Sequence, residues 1–276
     1  MRIYIAADIE GVAGLVNTTQ TMPGGADYER ARSLFAGEVN AAIEASMASG
    51  ATYVVVNDGH GPNTNLRAED LDPRAELITG RPKPLNMVHG INDGFDAILF
   101  IGYHAKAGTQ DATLDHTYFS TTALDIRVNG VSYGEFGLNG MLAGYFGTPT
   151  VLASGDDKLA YEAAALVPGI ETVVVKHAVA RTAARSTSPT IARTLISDAT
   201  KRALSRLKSA PIAHLLPPKP PLTLEVSFLS SGQADTAALL PESKRHGART
   251  VIYEAPDYYH LFRACRALLL LGAAGS

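Results

Sequence analysis

Near its start the chain reads Asp8-Ile9-Glu10-Gly11 directly after a short apolar run, and a strand carried through to Glu10 would set both carboxylates on one side, at its carboxyl end. Two carboxylates aimed at one small volume repel each other and lose hydration. A divalent cation reverses that cost. The same placement recurs twice, because Asn57-Asp58-Gly59-His60 follows a second apolar run and His104 follows a third. In open α/β sheets ligands collect beyond the carboxyl ends of the strands, which would bring these distant residues together. Glu135, after a hairpin signal and at a helix start, is a fifth candidate donor. Three carboxylates and two imidazoles suit zinc or manganese better than a thiolate-seeking metal. Five donors are generous for one zinc but natural for two ions sharing a carboxylate, and Asp8 is the choice for that bridge. Singly, each residue has an ordinary reading: Asp8 and Glu10 as solvated loop carboxylates, His60 as a turn residue held by Asp58 or backbone, His104 as a satisfied histidine at the core boundary, Glu135 as a partner of a helix N-terminus. Their combination is what points to a metal site.

The elements that must position them alternate along the chain. Strands are expected at residues 3–7, 52–56, 97–102, 123–128, 150–153 and 172–176, with a short one at 77–78. Helical patterns cover 28–48, with Asp27 as cap and Gly50 as stop, then 135–146, 158–166 and 189–207, the last opened by Ser188-Pro189. Residues 59–72 carry the Gly, Pro and Asn of a functional loop, and Asn129-Gly130 is the strongest hairpin signal, suggesting a mixed sheet. Gly137, Met141 and Gly144 share one face of the 135–146 helix, with Gly140 beside them. Each glycine costs about 1 kcal/mol relative to alanine, so this helix is expected to approach another backbone closely. Asp156-Asp157 reads as a helix cap with a solvated neighbour in preference to another carboxylate pair, and Lys176 and Arg181 as surface cations in preference to partners of a peptide carboxylate.

Beyond the Pro-rich stretch 217–221, the pattern gives a strand at 222–229, a short helix near 234–240, a strand at 251–254 and a terminal helix over 258–271. The fold class is therefore α/β: a mixed or largely parallel sheet covered by helices, with a smaller C-terminal β-α-β-α portion. Residues 1–216 form the expected main metal-binding region, and residues 217–276 a portion packed against it rather than independent.

Composition narrows the function. With 276 residues, 46% hydrophobic and 18% charged, the chain has enough apolar material for a substantial core, which excludes general disorder. Lys plus Arg number 24 against 27 for Asp plus Glu, without a basic stripe, so nucleic acid is not an expected partner. Cys265 is the only cysteine, which excludes an internal disulfide and fits a reducing compartment. Two carboxylates follow the first apolar run too soon for a secretory signal, and the late apolar stretch 267–274 is far shorter than a bilayer span. A cytoplasmic protein with no membrane partner is the expectation.

Taken in order, these segments resemble the zinc-dependent D-aminopeptidases of the DppA type, peptidase family M55. The resemblance rests on Asp8-Ile9-Glu10-Gly11 with Gly14, Asn57-Asp58-Gly59-His60, Gly102-Tyr103-His104-Ala105, His116-Thr117, Gly134-Glu135 with Gly137-Leu138-Asn139, residues 153–157 and Val175-Lys176-His177. It implies that Asp8, Glu10, His60, His104 and Glu135 ligate two zinc ions per chain, with Mn2+ or Co2+ as substitutes, and that His116 is the catalytic histidine. It also implies a homodecamer of two stacked pentamers, with short peptides, D-aminoacyl ones foremost, as substrates. The family's pattern commonly has serine before that histidine; Asp115 stands here instead, where it would raise the basicity of His116 or orient its ring.

The reaction so implied is metal-assisted hydrolysis, in which a zinc-bound water with a pKa of about 7 attacks a polarised peptide carbonyl. The resemblance describes the histidine at the His116 position as a nucleophile; a base or shuttle that carries a proton from water to the leaving nitrogen is the physically easier role. Two other classes compete: another dinuclear-metal hydrolase such as a phosphoesterase, and a nonenzymatic assembly subunit. A dinucleotide-binding site is disfavoured because Asp8 and Glu10 occupy the place of the opening glycines and would repel a pyrophosphate.

Overall fold

The computed structural model describes residues 1–209 and 214–275. Its strands are β1 (Arg2–Ala7), β2 (Tyr53–Asp58), β3 (Ala75–Ile78), β4 (Ala97–Tyr103), β5 (Ala123–Val128), β6 (Val131–Ser132), β7 (Thr150–Asp156), β8 (Glu171–Ala180), β9 (Ala183–Ser186), β10 (Leu222–Phe228), β11 (Lys244–His246) and β12 (Thr250–Ala255). The α-helices are α1 (Thr18–Thr21), α2 (Tyr28–Ala48), α3 (Glu135–Tyr145), α4 (Asp157–Leu166), α5 (Pro189–Ser209), α6 (Ser231–Ala237) and α7 (Tyr258–Ala274).

Seven strands form one sheet in the order β3-β2-β1-β4-β7-β8-β9, parallel except for β9 at its edge. The period of two decides which core each residue joins. Ile3, Ile5 and Ala7 enter the core shared with α2 and α5, whereas Tyr4 and Ala6 enter the one shared with α3, α7 and the second sheet. Both faces are therefore buried, as the continuous apolar runs require. No described helix is long and apolar enough to cross a membrane.

The second sheet is antiparallel, in the order β11-β12-β10-β5-β6. Asn129 and Gly130 both have positive φ, +50° and +80°, and close the expected hairpin between β5 and β6. That hairpin lies outside the main sheet: β5 pairs with β10, so the C-terminal strands complete a sheet begun in the middle of the chain. Asp27 makes no side-chain cap on α2, contrary to expectation, while Asp156 caps α4 by accepting from Leu159 N–H. In α3 the close backbone approach occurs at Gly144, where a Cβ would stand 2.2 Å from the Leu215 carbonyl oxygen; Gly137 and Gly140 make room for side chains instead.

The central arrangement for function is β2-β1-β4. Ala7 is in register with Asp58 on one side and Ile101 on the other, so the three strands end side by side. The segments that leave these strand ends must meet at that edge.

Candidate metal centre

β1 stops at Ala7, so Asp8 and Glu10 do not alternate along a strand as expected. They share one side because the chain turns: Gly11 N–H donates to the Gly102 carbonyl at 2.7 Å, folding residues 8–11 over the end of β4. Gly102 is required there. Its φ is +72°, and a Cβ would lie 2.1 Å from the Asp8 carbonyl oxygen.

The structure brings all five expected donors together. His60 Nδ1 lies 2.8 Å from Glu10 Oε2 and 3.4 Å from Asp8 Oδ1. His104 Nε2 lies 3.5 Å from Asp8 Oδ2 and 3.4 Å from Glu135 Oε1. His116 joins them, with Nε2 at 3.6 Å from Glu135 Oε1 and 3.9 Å from Glu10 Oε1, its ring stacked on His104 at 4.1 Å between centroids. Two donor groups with metal-binding spacing result, Asp8 with Glu10 and His104, and His104 with His116 and Glu135.

Each imidazole is oriented by a backbone carbonyl. His60 Nε2 donates to Thr21 O at 2.8 Å and His104 Nδ1 to Ala105 O at 2.9 Å, so the opposite nitrogen of each faces the carboxylates. This is the support that ligating histidines need. Glu135 Oε1 accepts Tyr118 N–H at 2.6 Å. The ordinary reading of His60 also holds in part, since its backbone N–H donates to Asp58 Oδ1 at 3.3 Å. Asp58 is buried, and its Oδ2 accepts Asn65 and Leu66 N–H at 2.5 and 2.8 Å, which winds the 58–66 loop so that His60 returns to the strand edge.

Burial, then the Glu10 charge, pushes Asp8 up to about 8. Burial also raises Glu10, but His60 overrides it and holds Glu10 well below the usual range. His104 rises to about 10 because Glu135 and Asp8 outweigh its burial. His116 moves the other way, lowered by burial and by the adjacent His104. The fit to a cation is carried by the buried atoms themselves: Asp8 Oδ2 and His104 Nε2 have no hydrogen-bond partner among the described residues. Hard carboxylate oxygens and oriented imidazoles in one dry volume are the donor set of zinc.

The Peptidase_M55 D-aminopeptidase family model matches residues 1–267. The chain belongs to that family. A D-aminopeptidase of Bacillus subtilis (strain 168) is 37% identical over 265 residues, covering 96% of this chain and 95% of the relative. The solved structure of the zinc-dependent D-aminopeptidase DppA from Bacillus subtilis, a self-compartmentalizing protease, superposes with a TM-score of 0.94 at 35% identity, covering 99% of this chain and 98% of that one. The M55 fold thus accounts for both sheets and for the strand edge where the donors meet.

Three expectations about this M55 chain are corrected. Asp115 does not touch the His116 ring: its carboxylate accepts Gly108 N–H at 2.8 Å and pairs with Arg181 at 3.1 Å, while His116 Nδ1 donates to Leu114 O at 2.8 Å. Lys176 is not a surface cation but fully buried, and burial pushes its ammonium down to about 8. The sequence carried a signal for this, a lysine inside the apolar run of β8. Asp157 is more than a solvated neighbour, since it accepts Ala178 N–H at 2.8 Å. Glu38, a buried carboxylate that accepts Ala13 N–H at 2.9 Å beside the site, gave no sequence signal at all within a helical pattern.

Proposed function

We propose that this M55 chain is a metallo-aminopeptidase that removes the N-terminal residue from short peptides, with D-aminoacyl peptides preferred. Asp8, Glu10, His60, His104 and Glu135 would hold two zinc ions in this reading, with Asp8 as the carboxylate the two would share and Mn2+ or Co2+ as substitutes. The observation that carries it is the division of Asp8: Oδ1 faces His60 and Oδ2 faces His104, one oxygen toward each half of the donor set. Zinc held there supplies a Lewis acid and lowers the pKa of bound water to about 7.

The chain's own groups do the rest. His116 is the proton carrier: Leu114 O fixes the proton on Nδ1, leaving Nε2 aimed at the edge shared by Glu10 and Glu135. Its side chain is 15% exposed where that of His104 is 1% exposed, so it is the imidazole with access to a substrate. Glu135 is held by Tyr118 N–H and cannot swing away during proton transfer. Burial of the whole cluster strengthens every charge interaction within it. A homodecamer in the cytoplasm, with substrates limited to short peptides by access, completes the reading; the kinship to a self-compartmentalizing protease supports it.

Matched D- and L-aminoacyl di- and tripeptides test the proposal with purified protein before chelation, after it, and after return of zinc. Zinc-restored, D-selective release of the first residue is expected. Full activity after complete metal removal, or no cleavage by the zinc-loaded protein, would overturn it.

A further inference from the structure

Lys176 interrupts β8 with a side chain that has no exposure to solvent. A buried ammonium must satisfy three donors, and normally a carboxylate is among the acceptors. Lys176 makes no ion pair with any described residue. Nζ donates instead to three carbonyls, of Glu10 at 2.5 Å, Leu15 at 2.6 Å and Val12 at 3.2 Å. All three belong to the turn after β1 that carries Glu10. The same turn is gripped elsewhere, because Glu38 accepts Ala13 N–H and Ser186 Oγ accepts Gly14 N–H at 2.8 Å. Ile9, Val12 and Leu15 bury their side chains in the core beneath α2. A segment with no regular backbone ladder is thus held by partners from α2, β8 and β9.

We propose that Lys176 is a positioning residue for the metal centre: by gathering the carbonyls of Glu10, Val12 and Leu15 around one point, it sets the backbone from which Glu10 reaches His60. The inference rests on the reading of Glu10 as a zinc ligand. Without the ammonium, the carbonyls of Glu10 and Leu15 would stand unpaired in a dry interior, that of Val12 would keep only the Leu15 N–H at 3.3 Å, and the turn would open to hydrate them. Glu10 would move with it. Support of this kind for a ligand is typically worth about 10- to 100-fold in metal affinity.

Lys176→Met and Lys176→Gln in the full-length assembly provide the test. Zinc affinity is measured by chelator competition, amide exchange is followed at Ala13 and Gly14, and kcat and KM are taken at saturating zinc. The methionine variant is expected to bind zinc about 10- to 100-fold more weakly, to exchange faster at Ala13 and Gly14 while β1 and β4 stay protected, and to lose kcat with little change in KM. Glutamine, with two donors, should fall between. A folded Lys176→Met protein with wild-type zinc affinity would overturn the proposal, since a residue that only stabilises the fold leaves that affinity alone. Should neither variant fold, the Lys176 ammonium of metal-free wild type decides, followed by selective 15N labelling of lysine: slow proton exchange supports the clamp, and exchange at the rate of a solvated lysine refutes it. A wild type that binds no zinc would instead remove the metal centre itself, and the role of Lys176 with it.

Discussion

Asp8 Oδ2 and His104 Nε2 lie 3.5 Å apart in the buried interior, and neither makes a hydrogen bond to any described residue. An unpaired buried polar group costs roughly 1–3 kcal/mol, more when charged, so a fold that pays this twice at one point is under pressure from something other than stability. The two atoms come from adjacent strand ends and face each other by construction of the sheet. A cation between such donors satisfies both.

With His116 as the proposed proton carrier rather than a zinc ligand, His116→Ala should keep zinc bound while kcat falls about 10²- to 10⁴-fold, the usual range for loss of a general acid or base. Metal content and kcat across pH check this together. Near-normal turnover with an unchanged pH profile would remove His116 from proton transfer.

The turn over β4 depends on the missing side chain of Gly102. Gly102→Ala would place a methyl 2.1 Å from the Asp8 carbonyl oxygen at a backbone angle of φ +72°, and strain plus overpacking should lower stability by about 2–4 kcal/mol. Urea unfolding of the metal-free variant measures it. Wild-type stability in the alanine variant would contradict so close an approach of the turn to β4.

Glu38 offers a pH test at a group that is not itself one of the metal donors. Burial raises it from 4.5 to about 7, so the folded state holds its proton where the unfolded chain has lost it. Stability contributed by this group therefore falls as pH rises from about 4.5 to about 7. Glu38→Gln cannot titrate. Between pH 5 and pH 8 the glutamine variant should gain about 2 kcal/mol relative to wild type, whatever its offset at pH 5. Parallel stability curves for the two proteins across that range would contradict a raised Glu38.

Two strand ends were legible because a buried strand shows as an apolar run and its polar successor as a break: Ala7 to Asp8 and Tyr103 to His104 read this way, whereas β2 continues past the break at Val56-Asn57 to Asp58. Parallel neighbours then place those breaks at one edge without further information. Partners from distant elements were not legible. Nothing near Lys176 says that its ammonium reaches the carbonyls of residues 10–15, and nothing near Asp115 says that Arg181 draws it away from His116. The second sheet was hidden for the same reason, since β5 and β10 pair across a long stretch of intervening chain. Short periodic segments report their own burial, whereas the identity of the partner is a property of the folded whole.

Zinc counted per chain in wild type and in Asp8→Ala, on protein purified without chelator, bears most directly on the shared centre. Two ions per wild-type chain and less than one in the variant, with both proteins folded, are the expected values. A wild type holding fewer than one ion, or an Asp8→Ala protein that retains both, would contradict it.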